Sequence, residues 1–225
     1  MVELVDLIPE LRHDLESVAR LDKAPQMKAY MKDRFEFLGV ATPERRRAAK
    51  PFMAAGRPAT SDQLLAAADA CWAEPEREFQ YVAASLLRRW NESLGPDSLP
   101  RIERLIRVKS WWDTVDSLAG GVVGPLVARN PELTATMDSW IDDPDFWIAR
   151  TAILHQLGSG ADTDADRLFG YVDRRCADTE FFIRKACGWA LRQYARHDPE
   201  AVRAYVLDRR AQLSGLTRRE ALKHL

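Results

Sequence analysis

The sequence predicts an all-α protein built from repeated helical units. Four dipeptides, Thr42-Pro43, Asn130-Pro131, Asp143-Pro144 and Asp198-Pro199, each place a capping side chain directly before a proline. The first residue can accept a backbone N–H, and proline loses nothing at the start of a helix, where its missing N–H would have no partner. The sequence contains no run of alternating β-branched residues. We therefore expect short helices joined by short turns.

Two further patterns place helices within the chain. Leu64, Leu65, Ala68 and Cys71 recur at spacings of three and four, which is typical of one helical face. Thr217 is followed three residues later by Glu220, a pairing that predicts a capping box and a helix start.

Four segments share one pattern and recur about every 35 residues. Each opens on a polar residue, continues with an aromatic residue and ends in a mostly aliphatic body. The segments are EFQYVAASLLRR from Glu78, SWWDTVDSLAGG from Ser110, DFWIARTAILHQ from Asp145 and EFFIRKACGWAL from Glu180. A period of this length made of helix pairs is typical of an α-solenoid. The tetratricopeptide consensus does not fit, so we predict HEAT-like helical repeats in a single domain over residues 1–225.

Composition limits the classes of function. The 225 residues are 30% charged and 46% hydrophobic, with a formal net charge of −1, so any surface for a polyanion must be local. Three widely spaced cysteines favour a reducing compartment. The N-terminal stretch carries Glu3 and Asp6 without a long apolar run, and no window approaches a membrane span. We expect a cytoplasmic protein.

Motifs for cofactor and nucleophile chemistry are missing from the sequence. The histidines and cysteines lack metal-ligand spacing, Gly120-Gly121 belongs to no phosphate loop, and no nucleophile elbow occurs. Cys187 has no histidine nearby in sequence, which favours a core position over a nucleophile. We expect neither a metal nor another cofactor.

The repeat alignment gathers aromatic and charged residues on one helical stripe. Counted from the opening polar residue, Trp112 and Trp147 occupy position three, Arg150 position six, Asp116 position seven and Trp189 position ten. These positions lie on one side of a helix. Because successive repeats stack, we expect the stripes to line neighbouring ribs of one concave surface.

Structural interpretations compete with this one. A tryptophan in a helix most often belongs to the core. A buried and unpaired carboxylate costs on the order of several kcal/mol, so Asp116 must either pair, for instance with Arg150, or open to solvent in a groove. Lys28 and Lys32 flank Tyr30, and basic residues among aromatics suit a nucleic-acid groove. Such clusters also arise in any helical protein this rich in charge.

Several longer motifs together resemble the DNA alkylation repair family of HEAT-like-repeat DNA glycosylases, the AlkD type. They occur in the expected order from about residue 24 to the end of the chain. The matching stretches are MKAYMKDRFEFLGVATPERR, EREFQ, KSWWDTVDS, FWIARTAIL, EFFIRKACGWALRQYA and LTRREALKHL.

The resemblance implies roles for the residues of the stripe. The second tryptophan of the WWD motif, Trp112, would line a DNA groove, and the second acid of that motif, Asp116, would be the catalytic carboxylate. Arg150 would hold the DNA backbone near the lesion, and Trp189 would complete an aromatic cleft. Tyr30 would also contact DNA.

The resemblance further implies an activity. Such a protein would hydrolyse the N-glycosidic bond of cationic N3- and N7-alkylated purines, of the 3-methyladenine and 7-methylguanine type, in duplex DNA and leave an abasic site. Lys185, on the neighbouring rib, would bind DNA, and one monomer, associated with the nucleoid, would act on one duplex. Two alternatives stay open: a non-catalytic relative that binds damaged or branched DNA, and a HEAT-like scaffold that binds protein.

Overall fold

A computed structural model describes residues 3–57 and 59–225 of the protein. The all-α prediction is confirmed: within these ranges the chain forms helices and no strand, and β pairing is limited to an isolated bridge between Glu36 and Glu76. The α-helices are α1 (Ile8–Glu16), α2 (Ala24–Tyr30), α3 (Thr42–Ala48), α4 (Lys50–Ala55), α5 (Ser61–Ala73), α6 (Arg77–Arg89), α7 (Leu99–Arg107), α8 (Trp112–Leu118), α9 (Gly124–Arg129), α10 (Thr134–Trp140), α11 (Phe146–Leu154), α12 (Ala165–Arg175), α13 (Phe181–Tyr194), α14 (Pro199–Asp208) and α15 (Gly215–Ala221).

Shorter helical turns connect several of these helices. The 3₁₀ turns are Leu4–Leu7, Asn91–Ser93, Pro96–Ser98, Pro131–Leu133, His155–Gly158 and Gly160–Asp162, and a π-helical turn occupies Ala119–Val123.

The chain forms two compact units, residues 1–105 and residues 106–225. The expectation of a single HEAT-like-repeat domain over residues 1–225 stays a prediction.

In the first unit, α5 and α6 pack as a helix pair. A capping box starts α5, because Thr60 Oγ1 accepts from the Gln63 backbone N–H at 3.3 Å and Gln63 Oε1 accepts from the Thr60 N–H at 2.9 Å. The predicted apolar face is correct, since Leu64, Ala68 and Cys71 are all fully buried.

A buried carboxylate at the start of α6 binds the loop between α2 and α3. Glu78 accepts backbone N–H groups from Leu38, Gly39 and Val40 at 3.0–3.2 Å. Burial raises the pKa of Glu78, and these three hydrogen bonds oppose that rise. Gly39 has φ +82°, and a Cβ there would lie 2.0 Å from the Arg20 carbonyl oxygen, so the loop requires glycine.

In the second unit, successive repeats stack as the periodicity predicts. Helices α8, α11, α13 and α15 pack in that order, one on the next. Helices α10, α12 and α14 form a second layer, which packs against α11, α13 and α15. This two-layer stack of helix pairs is the arrangement of an α-solenoid.

Hydrogen bonds between neighbouring repeats follow the same period. Tyr171 Oη donates to Asp138 at 2.7 Å, and one repeat later Tyr205 Oη donates to Asp173 at 2.8 Å. An arginine also pairs with each of these aspartates. The second layer therefore carries a repeated polar clamp, which the search for apolar periodicity did not reveal.

Some of the helix starts predicted from the sequence are confirmed and others are displaced. Asp198 caps α14 as expected, since its side chain accepts the Ala201 N–H at 2.9 Å. The Asp143-Pro144 start is wrong by two residues: Asp145 caps α11, and the Asp143 side chain accepts the Asp145 N–H. Asn130-Pro131 opens a 3₁₀ turn, with α10 following it.

The predicted capping box of Thr217 and Glu220 is wrong. Ser214 caps α15 by accepting the Thr217 N–H at 3.0 Å, so Thr217 lies inside the helix. Glu220 pairs with Lys185 and Arg192 of α13. The helix begins three residues before the predicted start, so Glu220 lies beyond its first turn and pairs with the neighbouring helix instead.

Candidate functional site

The adjacent tryptophans before and at the start of α8 point to different environments. Trp111 has extended backbone and is buried, whereas Trp112 begins the helix and is half-buried. The Trp111 ring lies 5.7 Å from that of Trp147 and 5.1 Å from that of Phe182, centroid to centroid. Trp147 and Phe182 also contact each other, at 4.9 Å. These distances suit attractive aromatic pairs.

The prediction that Trp147 lines a surface together with Trp112 is therefore wrong. Trp147 is 7% exposed and belongs to the aromatic core that joins α11 and α13 to Trp111. The reason is local: α8 begins at Trp112, the third residue of the repeat pattern, whereas α11 begins at Phe146, the second. Equivalent positions in the alignment consequently point in different directions.

Asp116 and Arg150 form a two-point ion pair between α8 and α11. Arg150 Nε donates to Asp116 Oδ1 at 2.7 Å, and Arg150 Nη2 donates to Oδ2 at 2.8 Å. The Asp116 side chain is 15% exposed and that of Arg150 is 3% exposed. Of the two states open to Asp116 in the sequence, the paired one is present, and the carboxylate keeps a small opening to solvent.

The same guanidinium also reaches the third helix of the stack. Arg150 Nη1 donates to the carbonyl oxygen of Phe182, so one side chain links α8, α11 and α13. A fixed carboxylate results, because both oxygens of Asp116 are tied to a planar group that is itself anchored. The contact of Arg150 with a DNA backbone, implied by the resemblance, stays a prediction; its hydrogen bonds to Asp116 and Phe182 lie within the protein.

Burial raises the pKa of Asp116, while the hydrogen bonds and charge of Arg150 lower it. The negative charge of Asp113, three residues earlier on the same helix, adds to the rise. Asp116 thus carries a charge that water screens poorly and that one cation compensates, which is the setting in which a carboxylate acts strongly on nearby positive charge.

The π turn Ala119–Val123 follows directly after the end of α8, three residues beyond Asp116. Gly124 follows, and a Cβ at this position would lie 2.0 Å from the carbonyl oxygen of His155. The glycine thereby allows two backbones to approach closely beside the segment that bears Asp116. Single π turns inside helices occur often at functional sites.

Lys185 and Trp189 lie one turn apart on α13 and therefore on the same side of that helix. Trp189 is half-buried, and the Lys185 side chain is 39% exposed. Lys185 pairs with Glu220 of α15, and Glu220 also accepts a hydrogen bond from Arg192. The hydrogen bond from Lys185 is the main reason that the pKa of Glu220 is lowered.

Tyr30 ends α2 in the first unit and is 67% exposed. It borders a hollow of about 280 Å³ whose other lining residues are Gln26, Met27, Met31, Phe37 and Tyr81. The remaining predicted site residues, Trp112, Asp116, Arg150, Lys185 and Trp189, belong to residues 106–225.

Across residues 3–57 and 59–225, no helix is long and apolar enough to cross a membrane. In the same ranges, no group of three histidine, cysteine, aspartate or glutamate side chains is placed to hold a metal ion.

Comparisons with known proteins define the class of this chain. The family model described as DNA alkylation repair enzyme matches residues 11–225, so the chain belongs to the DNA alkylation repair enzyme family. A solved structure described as a predicted DNA alkylation repair enzyme from Enterococcus faecalis superposes with a TM-score of 0.86 at 30% identity. The match covers 92% of this chain and 96% of the other. Among curated proteins, none matches the sequence.

Sequence reasoning missed the contribution of Phe182. Its carbonyl oxygen anchors Arg150, and its ring packs against Trp111 and Trp147. The adjacent aromatics of the EFFIRK stretch gave a signal for packing. A backbone acceptor, however, leaves no trace in residue type.

Proposed function

We propose that this protein is a monofunctional DNA glycosylase of base excision repair, which removes alkylated purines from duplex DNA. It would act as a hydrolase on the N-glycosyl bond of N3- and N7-alkylpurines. The observation that carries the proposal is the Asp116 carboxylate: it is held at both oxygens by Arg150, mostly buried, and still open to solvent. Membership of the DNA alkylation repair enzyme family supports DNA as the partner.

The chemistry of the lesion explains the need for a fixed carboxylate. Alkylation at N3 or N7 makes the purine cationic and therefore a good leaving group. As the bond to C1′ breaks, positive charge of oxocarbenium type builds on the deoxyribose. A carboxylate beside C1′ stabilises this charge and can orient the attacking water. Asp116 would have this role.

Arg150 would support catalysis by positioning Asp116. Its three hydrogen bonds hold the carboxylate against α11 and α13, so little reorganisation is needed when charge develops on the sugar. The arginine also opposes the effect of burial on the pKa of Asp116, which favours the ionised form of the acid.

Trp112 and Trp189 would hold the sugar and backbone near Asp116. Trp112 lies one helical turn before Asp116 on α8, and both indoles are half-buried, so each offers part of a ring face. Ring faces attract positive charge through their quadrupoles. Tyr30 and Lys185 would contact DNA outside the reacting sugar, and the lysine would exchange part of its ion pair with Glu220 for a phosphate.

The proposed reaction ends at an abasic site. Cleavage of the strand by a glycosylase needs an amine that attacks C1′ and forms a Schiff base. Lys185 Nζ is engaged with Glu220, whereas Asp116 is paired with the guanidinium group of Arg150. Water is therefore the proposed nucleophile, and the enzyme would work as a monomer on nucleoid DNA without metal or cofactor.

The proposal is tested with duplex DNA that carries 7-methylguanine and 3-methyladenine. We expect free methylated base to appear together with an equal number of abasic sites, and strand breaks to form only after treatment with alkali. Salt-dependent binding without release of base would instead favour a non-catalytic protein that binds damaged or branched DNA. Absence of both binding and release would favour a protein-binding scaffold.

A further inference from the structure

The outer side of the last helix pair, α14 and α15, carries an open groove of about 820 Å³. Leucine side chains belong to the apolar part of its lining, called its floor below, and arginine side chains make up much of the rest. Those used below are Leu207, Leu222, Leu225, Arg210, Arg218 and Arg219.

The floor of this groove is unusually exposed for apolar residues. Leu207 is 72% exposed, Leu222 is 38% exposed and Leu225 is 37% exposed. An isolated leucine on a surface needs no explanation, but a contiguous patch lined by arginine is typical of a binding site. The side of α15 that faces α13 is, by contrast, tightly packed.

Most of the positive charge of the groove is uncompensated, although Arg203, which also lines it, pairs with Glu200. No acidic side chain lines it, and within the described part of the chain no aspartate or glutamate pairs with Arg210, Arg218 or Arg219. Arg218 donates to the backbone carbonyl of Arg210, which leaves the charge itself unmatched. Elsewhere in this unit arginines form ion pairs with acidic side chains, as Arg107 does with Asp143.

We propose that this groove binds an amphipathic helix with an acidic face, supplied by a protein partner. Leucine or other apolar residues at helical spacing would cover Leu207, Leu222 and Leu225, and glutamate or aspartate on the flanks would pair with the arginines. The site lies between two helices, so a docked helix would continue the packing of one layer on the next. An apolar floor gives no advantage to the phosphates of DNA.

The test uses a fluorescent synthetic peptide of about 16 residues, with leucine at helical spacing and glutamate elsewhere. A control peptide has the same composition in an order that scatters the leucines around the helix. Anisotropy with the full chain should show saturable binding of the first peptide and at least about tenfold weaker binding of the second.

Matched variants locate the binding on the protein. Leu207→Asp should weaken peptide binding by at least about tenfold, since it places a like charge on the floor. Leu21→Asp changes a leucine that is 74% exposed in the other unit and should have no effect. Both variants should release alkylated base at the wild-type rate, so this result stands or fails independently of the proposed repair reaction.

Three outcomes would overturn the proposal. The first is equal binding of both peptides, or no saturable binding. The second is displacement of the peptide by short duplex DNA, with loss of DNA affinity in Leu207→Asp, which would assign the groove to DNA. The third is a concentration-dependent dimer that Leu207→Asp abolishes, because a second copy of the chain would then fill the groove.

Discussion

Replacing Arg150 with lysine keeps a positive charge beside Asp116 but removes the hydrogen bonds that position its carboxylate. Arginine makes three hydrogen bonds at this place, two to Asp116 and one to the Phe182 carbonyl. Lysine has a single ammonium on a flexible stem and cannot reproduce the planar two-point contact. Because Arg150 is only 3% exposed, water cannot readily replace the lost partners.

The expected loss of stability follows from the contacts. A hydrogen bond to a charged group contributes about 1.5–3 kcal/mol, and the lysine variant loses two of three while it retains the charge. The loss of two such bonds should lower the free energy of unfolding by about 3–6 kcal/mol in a urea titration. Arg107→Lys is the control: the Arg107 side chain is 35% exposed in its pair with Asp143, so its loss should be about 1 kcal/mol or less.

Catalysis supplies a readout that a structural role alone would not move. The Arg150 hydrogen bonds lower the pKa of Asp116, so weakening them lets burial raise that pKa further. In the proposed reaction base release needs the ionised carboxylate, so activity should be lost at a higher pH in Arg150→Lys than in the wild type. The positioning role would be refuted if Arg150→Lys left the low-pH side of the pH–rate profile unchanged and altered the free energy of unfolding by less than about 0.5 kcal/mol.

Two predictions concern the fold around the site. Gly188→Ala should destabilise the protein by roughly 1–3 kcal/mol, because a Cβ there would lie 2.5 Å from Glu220 Cβ. Gly170→Ala should instead stabilise it by about 0.5–1 kcal/mol, because a Cβ at that position would have nothing within 4 Å. Equal urea midpoints for the two variants would contradict this packing. His155 is buried, and burial lowers its pKa below the usual 6.5, so its neutral form favours folding at neutral pH. Below about pH 6.5 the unfolded chain takes up a proton first, and stability should fall by up to about 1.4 kcal/mol per pH unit, a slope that His155→Gln should flatten.

The period of the sequence predicted the stacking of the second unit, because each repeat must bury an apolar face against the next. Helix starts at Arg77, Trp112, Phe146 and Phe181 keep the spacing of about 35 residues. The same spacing correctly suggested Arg150 as a partner for Asp116, since a buried acid requires a cation and the neighbouring repeat offered one.

The errors arose where the exact start of a helix or a contact with a neighbouring helix decides the outcome. Trp147 lies in the core because α11 begins one residue earlier in the repeat pattern than α8 does. Glu220 left the expected capping box because Lys185 and Arg192 on the neighbouring helix bind it. Both results depend on tertiary contacts, which local sequence rules do not contain. The role of the Phe182 backbone carbonyl was equally hidden.

The most direct test of the central proposal is single-turnover release of 7-methylguanine by Asp116→Asn, with Asp113→Asn as the control on the same helix. Asparagine keeps the shape of the side chain and removes its charge, so the rate should fall on the order of 10²–10³-fold while binding of the lesion DNA is retained. Asp113→Asn should stay close to the wild-type rate, with urea titrations showing that both variants are folded. A folded Asp116→Asn protein that releases 7-methylguanine at the wild-type rate would contradict the proposed role of this carboxylate.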